Sequence, residues 1–334
     1  MQDRLLVDAR WDGNFGIGRF GREVRRRLGS SLHDFYKAEA SALSPKGIIG
    51  LRTTLAREKR KVFYSPAFTG TVPTKGTVQL LTVFDLIHLD EPAESSSMKR
   101  AYYKFVVSPA IKKAGWVATS SNYSRDRLAS WLGPGSSEIQ IDNVGCGVSA
   151  DFSPSDAAFD EKHFVVVSNP GSHKNVETVL GAVAGLRDSR LTWVVGDTGR
   201  AADLVREFGV GDRVVLRSNL SDMELRDLYC SATALLFPSK IEGFGLPPVE
   251  AMACDVPVIF SPRCEAVEET SGSVSGNIAV DGLTSVPEWQ AAMKEVSANP
   301  RRLTVSQTIR DRYSWETVSG SVLRTLTEAI NRLS

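Results

Sequence analysis

The chain has 334 residues, 42% hydrophobic and 24% charged, with 27 Gly, 15 Pro and 4 Cys. This length suits two domains, and the composition is that of a soluble globular enzyme, which excludes collagen-like, low-complexity and disulfide-stapled classes. The formal net charge is +1, and the apolar runs are too short for a membrane-spanning helix.

In chain order, short β-branched runs alternate with helical patterns. The N-terminus, with Asp3, Arg4 and a brief apolar stretch, reads as a first strand rather than a signal peptide. Strands are predicted at 5–8, 62–64, 78–84, 116–119 and 138–141, with helices at 19–28, 98–113 and 123–132. Residues 144–154, rich in Gly and Ser, read as a linker. The alternation resumes with strands at 163–168, 191–195, 213–216, 234–237 and 256–260. Helices are predicted between them at 175–186, 201–208, 222–230 and 248–254. Trp315, Val318, Val322, Leu326, Ile330 and Leu333 share one face of a final helix. Strands that alternate with helices argue parallel sheets of βαβ units. Two such series argue an α/β protein with two doubly wound, Rossmann-like domains facing a cleft, at 1–150 and 151–313. The helix at 314–334 is expected to pack back toward the N-terminal domain.

Charge divides along the chain. Residues 1–150 hold 22 Lys and Arg against 14 Asp and Glu, and residues 151–334 hold 18 against 25. The basic residues cluster at Arg22, Arg25, Arg26 and Arg27, at Arg57, Lys59, Arg60 and Lys61, and at Lys99, Arg100, Lys104, Lys112 and Lys113. Either these are solvated helix faces, or the N-terminal half meets an anionic membrane or a phosphorylated acceptor. Aromatics do not interleave with them, so nucleic acid is not an expected partner. Cys146, Cys230, Cys254 and Cys264 form no CxxC pair, and His33, His88, His163 and His173 lie at no zinc-ligand spacing. The thiols are expected to be reduced, in a cytoplasmic protein without a bound metal.

Ligands of doubly wound sheets bind in loops at the carboxyl ends of the strands. After the first strand, Gly16-Ile17-Gly18-Arg19-Phe20-Gly21 fits a dinucleotide fingerprint. It lies too far beyond the strand for one, so a dehydrogenase is a minor reading. A Gly-bearing loop at a helix N-terminus remains, with N–H groups able to approach a phosphate. After the strand at 234–237 comes Pro238-Ser239-Lys240-Ile241-Glu242-Gly243-Phe244-Gly245-Leu246-Pro247-Pro248-Val249-Glu250. Two glutamates flank a Gly-bounded aromatic and a Pro-started helix, with Glu242 in the loop and Glu250 in the helix. The amides of Phe244 to Leu246 sit at a helix N-terminus, a place for a phosphate or sugar hydroxyls. Packing alone demands no such combination.

This segment resembles the E-x7-E element of family 4 retaining glycosyltransferases, which have the GT-B fold. Other stretches are similar to the same family: Val7-Asp8-Ala9-Arg10 with Gly16 to Phe20, Phe84-Asp85-Leu86-Ile87-His88-Leu89, 117–124, 143–154, Lys174-Asn175, and Tyr313-Ser314-Trp315. The Asp-Leu-Ile stretch is closest in look to mannosyl- and rhamnosyltransferases of surface polysaccharide assembly.

The resemblance implies a retaining transfer of a hexose, mannose as the first choice. The donor would be a nucleoside-diphosphate sugar such as GDP-mannose, the acceptor a glycan or lipid-linked one. It implies that Glu250 binds the ribose, Glu242 faces the transferred sugar and Lys174 neutralises the diphosphate. Gly16 and Gly18 would bring amides to the diphosphate. Ser239, Phe244, Gly245 and Leu246 would line the donor site, and Asp85 would act from the N-terminal domain. The chain has no Asp-x-Asp, which fits metal-independent transfer and no cofactor beyond the sugar donor. In two places the chain departs from the family: Phe84 stands for a His, and Asn169-Pro170 for a frequent Gly-Arg. They motivate an alternative, a non-catalytic GT-B binding subunit. The basic N-terminal half adds the expectation of a cytoplasmic protein held peripherally at the inner membrane face.

Overall fold

The computed structural model describes residues 5–13, 16–28, 34–37, 40–57, 62–156 and 159–332. Asp3, Arg4, His33, Lys59, Arg60, Lys61 and Leu333 lie outside the described residues. The chain divides into two compact units. The first joins residues 1–147 to 313–334, and the second is 148–312.

In the first unit, β1 (Leu5–Asp8), α1 (Gly16–Leu28), β2 (Asp34–Tyr36), α2 (Pro45–Arg57), β3 (Val62–Ser65) and β4 (Val78–Leu81) follow in order. The sheet order is β2-β1-β3-β4, all parallel, with Leu6 opposite Phe63. Buried on both faces, these strands read as continuous apolar runs. After β4 come α3 (Ile87–Asp90), α4 (Ser97–Tyr102), a π turn over Tyr103–Val107 and α5 (Ser108–Ala114). Then follow β5 (Trp116–Thr119), α6 (Asn122–Leu132) and β6 (Gln140–Asn143). The parallel pair β5-β6 joins the larger sheet through a bridge between Thr82 and Ala118.

Several expectations shift. The strand predicted at 78–84 ends at Leu81, and the strand predicted at 138–141 begins at Gln140 after a 3-10 turn at Ser136–Glu138. The helix predicted at 98–113 is three segments rather than one. Pro109 has no N–H to offer the preceding turn, and that turn widens. Helix α1 starts at Gly16 rather than Arg19, so Gly16 and Gly18 lie within its first turn and not in a loop before it.

The second unit holds β7 (His163–Val167), α7 (Val176–Gly185), β8 (Arg190–Val194), α8 (Thr198–Glu207), β9 (Val214–Arg217) and α9 (Asp222–Ser231). It continues with β10 (Ala234–Phe237), α10 (Leu246–Ala253), β11 (Val258–Phe260), α11 (Glu265–Ser271), β12 (Ile278–Ala279), α12 (Val286–Ala298) and α13 (Gln307–Arg312). The sheet order β12-β11-β10-β7-β8-β9 is parallel throughout. The order reverses beside β7, so the loops after β7 and β10 stand at a topological switch point. The core beneath them is apolar and includes Phe164, Leu180, Trp193, Leu236 and Trp289, each at most 1% exposed.

The last helix, α14 (Trp315–Arg332), belongs to the first unit and packs on α1. Trp315, Val318, Val322, Leu326 and Ile330 are all buried, as their spacing requires. Phe20 of α1 meets Trp315 with ring centroids 6.1 Å apart. No helix among the described residues is long and apolar enough to cross a membrane.

Candidate functional site

In the second unit the loops after β7 and β10 are joined to each other. The N–H of Lys240 donates to the carbonyl of His173 at 2.7 Å. Asn175 takes a left-handed conformation, φ 53°, which Asn tolerates better than most residues. Its Nδ2 donates to the carbonyls of Pro238 at 3.2 Å and Leu283 at 2.8 Å, and its Oδ1 accepts from Thr178 Oγ1 at 2.9 Å. Asn175 therefore clamps two loops and the start of α7.

This clamp presents Lys174 to Glu242. Lys174 Nζ donates to Glu242 Oε1 at 2.7 Å, with side chains 22% and 12% exposed. The two groups predicted for diphosphate and sugar form one charge-compensated pair. Water reaches both, so a ligand anion can share the ammonium. Cys264, in the loop after β11, lies beside them. Burial, with the Glu242 carboxylate, pushes its thiol up to about 12, so it stays protonated and non-nucleophilic.

The segment between Glu242 and Glu250 has little freedom. Ser239 and Phe244 are buried. Gly245 caps α10 at φ 88°, and an added Cβ would stand 2.9 Å from Val267 Cγ2. Leu246 opens α10, followed by Pro247 and Pro248, which carry no N–H and leave none unpaired. Glu250 lies inside α10 at 8% exposure, where a carboxylate needs hydrogen-bond donors. Tyr229 of α9, fully buried, donates its hydroxyl to Glu250 Oε2 at 3.2 Å.

Asn169, one of the two departures from the resemblance, has a structural role. Asn169 Oδ1 accepts the N–H of Gly196 at 2.9 Å, tying the loop after β7 to the loop after β8.

Asp85, Gly16 and Gly18 belong to the first unit. Asp85 Oδ1 accepts the N–H of Ile87 at 3.0 Å and so opens α3. Gly16 has φ +51°, and a Cβ on Gly18 would stand 2.9 Å from the Gly13 backbone, so close backbone approach accounts for that glycine. Phe84 meets Phe20 edge-on at 4.8 Å, an apolar contact. His88 Nδ1 lies 3.3 Å from Lys99 Nζ. Burial and then the Lys99 charge hold His88 below its ordinary value, so it is neutral near pH 7 with its proton on Nε2.

The structure gives roles that the sequence did not show to four residues: Asn175 as the clamp, Tyr229 as the partner of Glu250, and Asp8 paired with Arg10. Asp8 ends β1 and receives Arg10 Nε at 2.8 Å and Nη2 at 2.7 Å, with side chains 0% and 3% exposed. Asp8, Arg10 and Asn175 lie in family-like stretches of the sequence, whereas Tyr229 left no signal there.

Residues 149–310 match the family Glycosyl transferases group 1. The chain is 29% identical over 257 residues to the O-antigen chain mannosyltransferase RfbU of Salmonella typhimurium, covering 75% of this chain and 70% of that protein. It is 31% identical over 206 residues to the MMP alpha-(1->4)-mannosyltransferase of Mycolicibacterium hassiacum, covering 58% of this chain and 50% of that protein. Among solved structures, sucrose-phosphate synthase from Thermosynechococcus elongatus has a TM-score of 0.77 at 18% identity, covering 98% of this chain and 100% of that chain. At that identity the likeness speaks for the fold alone. The fold is GT-B, and the segment 149–310 is similar to the glycosyl transferases of group 1.

Proposed function

We propose that the chain transfers a hexose with retention from a nucleoside-diphosphate sugar to a glycan or lipid-linked acceptor, in the manner of family 4. Mannose from GDP-mannose is the first choice, since both relatives compared above are named mannosyltransferases. The observation that carries the reading is the Lys174–Glu242 pair at the switch point, with buried Glu250 in the adjoining helix.

Breaking the bond between C1 and oxygen leaves charge on the departing diphosphate. A preorganised cation there lowers the barrier. Lys174 is that cation in this reading, aided by the Leu246 N–H at the head of α10. Transfer then needs no metal. Glu242, hydrogen-bonded to Lys174, would accept from the hydroxyls of the transferred sugar in this reading. Glu250 accepts from the ribose hydroxyls.

The basic clusters differ in how they suit a peripheral position at an anionic, cytoplasmic membrane face. Arg22, Arg25 and Arg27 are paired with Glu23, Asp12 and Glu316, which removes most of the first basic cluster as a lipid contact. The third is better placed. Met98 and Phe105 are 72% and 62% exposed beside exposed Arg100, Lys104 and Lys112, an apolar and basic combination suited to an anionic interface. Flotation with anionic but not neutral liposomes supports this location, and equal flotation counts against it.

The test of function is release of nucleoside diphosphate from GDP-mannose, UDP-glucose and dTDP-rhamnose, with proton NMR of the first sugar anomer formed. GDP release with the α-anomer of mannose appearing first supports the reading. The β-anomer overturns retention. Absence of release from any donor that binds favours the non-catalytic binding subunit, a reading motivated by the apolar setting of Phe84.

A further inference from the structure

Glu250 is a carboxylate in a nearly closed site, and its orientation is not set by α10 alone. A glutamate has three side-chain torsions, and burial without a partner would favour the neutral acid over the carboxylate. Tyr229 reaches it from the neighbouring helix. Helix α9 opens with a capping box in which Ser221 and Glu224 satisfy each other's N–H groups. That fixes the register that turns Leu225 and Tyr229, four apart, toward the core. The Tyr229 ring is also in contact with Phe152, with centroids 6.1 Å apart. Its hydroxyl therefore has a fixed position, and from it the Tyr229 Oη donates to Glu250 Oε2 at 3.2 Å.

We propose that Tyr229 is a positioning residue for ribose recognition: its hydroxyl holds one oxygen of Glu250 and turns the carboxylate toward the ribose diol of the donor nucleotide. This rests on the reading of Glu250 given above and extends it to a residue in another helix that touches no substrate. The chemistry is specific. A vicinal diol is recognised by a carboxylate whose plane is fixed, and a hydrogen bond to a charged acceptor is among the stronger ones available in a protein. Tyr229→Phe keeps the ring and its packing and deletes the hydroxyl donor.

The experiment is calorimetric titration of wild type, Tyr229→Phe and Glu250→Gln with GDP and UDP and with their 2′,3′-dideoxy analogues. Wild type should prefer the ribonucleotide of the base it binds. Tyr229→Phe should lose about tenfold in affinity for that ribonucleotide, with little change for the dideoxy analogue. In turnover the loss should appear in donor KM rather than kcat. A variant that weakens both nucleotides equally, or neither, overturns the proposal and leaves Tyr229 with packing alone. Glu250→Gln separates the two readings. If it keeps the wild-type preference for ribose, the assignment of Glu250 itself fails. If it loses that preference while Tyr229→Phe keeps it, only the role of Tyr229 fails.

Discussion

Lys174 and Glu242 lie 68 residues apart in sequence, yet Lys174 Nζ and Glu242 Oε1 meet at 2.7 Å. Each comes from a loop at the carboxyl end of a strand, β7 and β10, and those strands are neighbours. In the proposed reaction a departing diphosphate would displace the Glu242 carboxylate as the partner of the Lys174 ammonium. Lys174→Ala should therefore lower turnover on the order of 10²-fold, the scale of one well-aimed electrostatic contact. Glu242→Gln should behave differently. It releases Lys174 from its carboxylate, so affinity for a nucleoside diphosphate should hold or rise while turnover falls. Steady-state rates with calorimetric titration of GDP read both. Equal weakening of GDP by the two variants would contradict a displaceable pair.

Gly245 should tolerate no side chain. Its φ of 88° is costly for an L-residue, and a Cβ would press on Val267. Gly245→Ala should lose about 1–3 kcal/mol of stability, read by urea denaturation, and the head of α10 should shift with it. A variant as stable as wild type would show that this turn can relax.

Asp8 and Arg10 form a buried ion pair at the end of β1, with Ser65 and Thr69 hydroxyls also donating to Asp8 at 3.2 and 3.3 Å. Removing one partner strands the other charge, a loss of about 3–5 kcal/mol. Arg10→Met should show that loss in denaturation of the full chain. A change under about 1 kcal/mol would mean that the hydroxyls alone satisfy Asp8.

Acid should weaken the fold through two histidines. Burial lowers His163 and His88 from the ordinary 6.5, with the Lys99 charge a second cause at His88. The unfolded chain then binds protons more readily than the folded one. Their contribution is complete above about pH 6.5 and is lost as pH falls through the lower folded values. The melting temperature should fall between pH 7 and 5, and His163→Gln, which can keep a bond to Thr192 Oγ1, should reduce that slope. An unchanged slope would assign the acid sensitivity elsewhere.

The doubly wound pattern was legible because its strands are buried on both faces and the sequence punctuates them with Gly, Pro and caps. Helix α2 was missed although Ser44 and Pro45 mark its start, Ser44 Oγ accepting the N–H of Gly47 at 3.0 Å. Gly47 and Gly50 inside it dilute the helical signal. Strand β2 has three residues, too few to show a period. The broken helix after Ser97 was hidden because a π turn leaves the apolar spacing almost intact. The loop and helix that carry Glu242 and Glu250 were readable as a unit, since their chemistry is contiguous. The link from Lys174 to Glu242 and the contact from Tyr229 to Glu250 were not. Both are set by the order of strands and helices in space, which no local spacing encodes.

In the proposed function the second unit binds a nucleoside-diphosphate sugar through Lys174, Glu242 and Glu250. Thermal-shift binding of GDP, UDP, dTDP and their common sugars to wild type and Glu250→Ala tests it most directly. A ligand at about 100 times its Kd stabilises by roughly 2.7 kcal/mol. One nucleotide, GDP first among them, should raise the melting temperature of wild type and leave Glu250→Ala unshifted. Equal shifts of both proteins, or none with any nucleotide, would contradict it.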